Sequence, residues 1–98
     1  MLHLNENPVD ILKLFIENGG TDIAKKVSAL LNGSTIVIEP CNMGNLKISK
    51  SFMFQISNES IIVSMGDGGV FDSSNSVSVH VSENDIDALQ RAIKNMGG

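Results

Sequence analysis

The sequence predicts an α+β domain: two N-terminal helices, a four- to five-stranded antiparallel meander and a C-terminal helix, with the helices packed on one face of the sheet. Three observations carry this prediction. Apolar residues recur at helical spacing from Val9 to Leu31, alternate with a period of two from Ile36 to Val81, and return to helical spacing after Ser82. The alternating runs are separated by short clusters of Gly, Asn, Asp and Ser, which join strands into hairpins and leave no room for crossover helices. The length of 98 residues and a hydrophobic share of 42% suffice for one core and not for two, so residues 1–98 form a single domain.

Asn7-Pro8 opens the first helix, with Asn as N-cap and Pro at a first-turn position whose N–H has no helical partner. Val9, Ile11, Leu12, Leu14, Phe15 and Ile16 wrap most of its circumference, and Gly19-Gly20 closes it. A helix so broadly apolar is either sandwiched in the interior or covered by a partner. Thr21 caps a second helix, in which Ile23, Val27, Leu30 and Leu31 make one stripe opposite Lys25, Lys26 and Ser28, and Asn32-Gly33 ends it. At the other end of the chain, Ser82-Glu83-Asn84-Asp85 has the form of a capping box with Asp at the position usually held by Glu. Ile86, Leu89, Ile93 and Met96 line one side of the helix behind it.

Thr35 to Glu39 reads as the first strand, stopped by Pro40. From Leu46 to Ile56 the even positions are mostly apolar and the odd ones mostly polar, with a bend expected near Lys50-Ser51 because the run is long for one strand. Ser57-Asn58-Glu59 turns into Ile61, Val63 and Met65, and a last strand alternates Val77, Val79 and Val81 with Ser76, Ser78 and His80. Val70-Phe71 lies between two turn-rich segments, either as a short strand piece or within one wide loop. One face of the sheet is therefore serine-rich and nearly uncharged, interrupted by Val37, Met53 and Ile62.

Seven basic residues against eleven acidic ones give a net charge of −4. Between Lys50 and Arg91 there is no cation, while Glu59, Asp67, Asp72, Glu83, Asp85 and Asp87 all fall there. Binding to phosphate backbones rests on Lys and Arg, and base stacking on aromatics, so four Phe without Trp or Tyr in an acidic chain argue against nucleic acid. One cysteine excludes an internal disulfide and fits a reducing, cytoplasmic setting. The N-terminal apolar stretch is too short and too interrupted for a membrane span or an export signal, so no membrane association is expected.

Candidate chemical motifs fall short one by one. His3, His80 and Cys41 are scattered, without metal-ligand spacing. Cys41 has no neighbouring cation or histidine to activate it and reads as a half-buried, inert thiol in a loop after the first strand. Gly66-Asp67-Gly68-Gly69 is flanked by strands and lacks a lysine, which makes it a hairpin turn and not a phosphate loop. Asp67, Asp72 and Asn75 lack the ligand pattern of a calcium loop. No catalytic signature is present; the chain reads as non-enzymatic, with no cofactor and no metal.

The expectation is a small acidic protein-binding module that masks the surface of a basic partner. Small acidic domains of the inhibitor, immunity or phage-encoded anti-defence kind offer an analogy of size and charge only. Partner binding falls to Glu59, Asp67 and Asp72 for electrostatic steering and to Met53 and Ile62 for contact. Self-association as a homodimer falls to Leu14, Phe15 and Val37. The alternative is a small-ligand (nucleotide or metabolite) binding module with a pocket against the sheet. A third reading is a DNA-binding helix-turn-helix-like regulator using Lys25 and Lys26, weakened because a strand follows where a recognition helix should.

Overall fold

The computed structural model describes residues 7–67 and 70–96, and of residues 72–74 the backbone alone. The tail containing Met1-Leu2-His3-Leu4 lies outside the described residues. The element order is α1 (Pro8–Leu31), β1 (Ile36–Ile38), β2 (Cys41–Met43), β3 (Leu46–Ile48), β4 (Ser51–Ser57), β5 (Ser60–Asp67), β6 (Val70–His80) and α2 (Glu83–Asn95). The architecture is α+β with an antiparallel sheet, as the periodicity predicts, but its helices and its strands are divided differently.

Where two N-terminal helices are expected, the chain forms one helical element. Asn7 caps it as read from the sequence, its Oδ1 accepting from the Val9 N–H at 2.9 Å. Helical geometry breaks at the Gly19-Gly20 pair, where the sequence reading divides the two helices. Gly20 alone leaves helical geometry, at φ 72° and ψ −157°, and the helix resumes at once. That combination is open essentially only to glycine, so the glycine pair makes a kink between two helical segments that run on as one element, in place of two separate helices. Ile11, Leu12, Phe15 and Ile16 on one side of the kink and Val27 and Leu30 on the other are all fully buried.

The main sheet has the order β1-β4-β5-β6, all antiparallel, and β2-β3 form a separate hairpin. The long run expected from Leu46 to Ile56 is thus two strands, parted at Ser49-Lys50, and its first part pairs with residues 41–43. Cys41 lies on that hairpin, not in a loop, and is exposed, not half-buried. Met43 and Ile48 anchor the hairpin in the core. In the main sheet the burial follows the predicted parity: Ile36, Ile38, Phe52, Phe54, Ile61 and Val63 are buried against the helices. Phe15 of α1 meets Phe52 and Phe54 edge-on, at ring-centroid distances of 5.5 and 6.0 Å, which fixes α1 over this face.

α2 packs chiefly against α1 and inserts Leu89 fully into the core. It rests less on the sheet than the expected common helical layer would. Its capping box forms as read: the Asp85 N–H donates to Ser82 Oγ, and the Ser82 N–H to Asp85 Oδ2, each at 3.1 Å. The broad apolar surface of α1 is therefore covered from within the chain, by the sheet on one side and α2 on the other.

Candidate interaction face

The face of the sheet turned away from α1 carries Val37, Met53, Gln55, Ile62, Ser64, Ser76, Ser78 and His80. None of its apolar members belongs to the core cluster. The register sets them in rows: Val37 opposite Met53, Met53 opposite Ser64, and Ser64 opposite Ser76, with Gln55, Ile62 and Ser78 in the next row. Met53 and Ile62 are diagonal neighbours, so Val37, Met53 and Ile62 form one oblique apolar strip across three strands. Met53 and Ile62 are half-buried, and Val37 is 36% exposed. Beside the strip, the hydroxyls of Ser64 and Ser76 meet at 2.7 Å.

At one end of this face, the β4–β5 hairpin turns through Asn58 and Glu59, whose φ values are 51° and 63°. Two left-handed residues between the paired Ser57 and Ser60 make a type I′ turn, the geometry that matches strand twist. Asn accepts this conformation readily. Glu does not, at a cost of roughly 1–2 kcal/mol. The turn is held by the Val81 N–H, which donates to the Glu59 carbonyl at 2.8 Å.

Glu59 lines an open groove of about 800 Å³ between this turn and the first turns of α2, with Ile56, His80, Glu83, Asp87 and Gln90 among its walls. Three carboxylates and no Lys or Arg line it. Asp85, nearby in the capping box, is held below its ordinary value of 3.8 by the Ser82 backbone N–H first and then by the Ser82 hydroxyl, with smaller contributions from Lys13 and His80. Glu83 begins α2 and Asp87 follows about one turn later. Their convergence with Glu59 comes from tertiary structure, and no sequence spacing announces it.

The other expected site residues are dispersed. Asp67 ends β5 and is paired with Lys50 at 2.7 Å, both side chains well exposed. The acidic half of the chain thus has a cation against it that linear order does not reveal. Asp72 lies where β6 bulges, between Phe71, opposite Gly66, and Ser76, opposite Ser64; its side chain is outside the described residues. Of the three self-association residues, Phe15 is fully buried beneath Phe52 and Phe54 and has no surface to offer, while Leu14 and Val37 are 37% and 36% exposed. Sequence reading missed Val70 at the start of β6, at 75% the most exposed large apolar side chain among the described residues. Lys26, read with Lys25 as a DNA contact, instead donates its Nζ to the Val37 carbonyl at 3.1 Å along the β1 edge.

Among the described residues no group of His, Cys, Asp and Glu is placed to hold a metal ion, and no helix is long and apolar enough to cross a membrane. Compared with known proteins, the chain matches no family model, no curated protein and no solved structure.

Proposed function

We propose that the chain is a small protein-binding module that seats a basic surface of a partner protein on the outer sheet face, with the Glu59 groove at its rim. The observation that carries this reading is the partly exposed strip of Val37, Met53 and Ile62 outside the core cluster, together with a groove at the β4–β5 turn whose charged walls are acidic. An apolar centre with a charged rim is the usual anatomy of a protein interface, the centre supplying affinity and the rim steering encounter. Glu59 adds support: a strained left-handed glutamate where glycine would be easier is explained if its carboxylate has a task. Asp67 contributes less to steering than its formal charge implies, because Lys50 neutralises it locally.

The test is affinity capture from a cell lysate with the wild-type chain and with Glu59→Lys/Glu83→Lys/Asp87→Lys. The expected result is a basic protein held by the wild type, released as salt is raised, and lost from the triple variant. Capture indifferent both to salt and to the charge reversal contradicts the reading.

A further inference from the structure

The two edges of the sheet differ. β1 is three residues long, and its outward carbonyl, that of Val37, is occupied by Lys26. β6 is eleven residues long and follows the opposite rule. The Val81 N–H bonds to Glu59, and the register continues through Val79 opposite Ile61 and Val77 opposite Val63. Hydrogen bonding alternates along an antiparallel strand, so these odd-numbered residues bond to β5, while Ser76, Ser78 and His80 turn their N–H and C=O groups outward. All three residues are exposed, and among the described residues no hydrogen-bond partner meets those groups. The stretch from Ser76 to Val79 has neither a charge nor a proline, two of the devices by which monomeric proteins disable a free edge, and the bulge of β6 lies outside it.

We propose that two copies of this chain pair through β6, antiparallel about a two-fold axis at Ser78. This register sets Ser78 opposite Ser78 of the second copy and Ser76 opposite its His80, using all the outward-facing groups of the regular stretch. The bulge between Phe71 and Ser76 limits the pairing on one side and the turn into α2 limits it on the other. Pairing β6 with β1 of another copy would instead propagate without closing. The shortness of β1 and the Lys26 ammonium on its carbonyl disfavour it, so association stops at two. A two-fold axis normal to the sheet leaves both outer faces on the same side and extends each four-stranded sheet into its neighbour. This interface replaces the one expected at Leu14, Phe15 and Val37, and it does not depend on the partner-docking reading.

The test is sedimentation equilibrium of the full chain over a wide concentration range, for the wild type, Ser78→Pro and Ser78→Lys. Proline at an edge position whose N–H points outward leaves the β5 ladder intact and removes a donor from the dimer. Lysine sets like charges against each other on the axis and serves as the second variant should the proline disturb folding. The expected result is a wild type that moves from 10.5 kDa toward twice that mass as concentration rises, and variants at least about tenfold weaker in association. Circular dichroism should show both variants folded as the wild type, and charge reversal at Glu59, Glu83 and Asp87 should leave the wild-type mass unchanged. A wild type that stays monomeric throughout, or a dimer that persists undiminished in Ser78→Lys, overturns the proposal.

Discussion

On the inner side of the sheet, Phe52, Phe54, Ile61 and Val63 are shut off from water beneath Phe15, whereas on the outer side Val37, Met53 and Ile62 keep partial access and lie outside the core cluster. Both sets come from the same alternating strands, and Met53 lies between Phe52 and Phe54 in the chain. What separates them is the direction of the pleat and the position of α1. The comparison teaches that a chain can satisfy its own packing with one side of a sheet and keep apolar area on the other, provided that area is interleaved with serine.

The largest expected difference between the faces is energetic. Phe54→Ala should lower unfolding free energy by about 3–5 kcal/mol in urea titration, because the ring is fully buried among Phe15, Phe52 and the strands. A loss below about 1 kcal/mol would mean that α1 does not close over this face.

Glu59→Gly should act in the opposite direction. Relieving the left-handed glutamate is expected to raise stability by roughly 0.5–1 kcal/mol in the same titration, after allowing for glycine's greater freedom in the unfolded chain. Partner capture should weaken at the same time. A variant that is stabilised and still captures fully would remove Glu59 from the interface.

The smallest effect lies at the rim between the two faces, in the pH dependence of the α2 cap. Asp85 has its folded value below 3.8, so its ionised form is favoured in the native state. That contribution is complete above the unfolded value and is lost as pH falls through the lower folded one. Asp85→Asn should therefore show a shallower decline of melting temperature below about pH 4 than the wild type. Identical acid limbs would show that the capping box does not persist in solution.

Much of this fold was legible because local chemistry and tertiary packing agree. Asn7 and Ser82 cap where their side chains can reach orphan N–H groups, and the parity of Phe52 to Val63 names the buried face without any coordinates. The β2–β3 hairpin was not legible, since strands of three residues are too short to display a period. Gly19-Gly20 marks the departure from helical geometry where it occurs and Thr21 to Leu31 resumes the helix as read, but the pair does not say whether the two segments part or run on as one kinked element, and here both are buried in the same core. The candidate site is the least legible part. The faces of Met53 and Ile62 follow from parity, while the meeting of Glu59 with Glu83 and Asp87, and of Lys50 with Asp67, depends on how distant segments come together.

The most direct test of the outer face as a surface free of the chain's own packing is equilibrium urea unfolding of Met53→Thr/Ile62→Thr, at fixed protein concentration. Threonine keeps strand propensity and removes apolar area, so a docking surface predicts a stability within about 1 kcal/mol of the wild type. A loss comparable to that of Phe54→Ala would place Met53 and Ile62 inside the core and contradict the account.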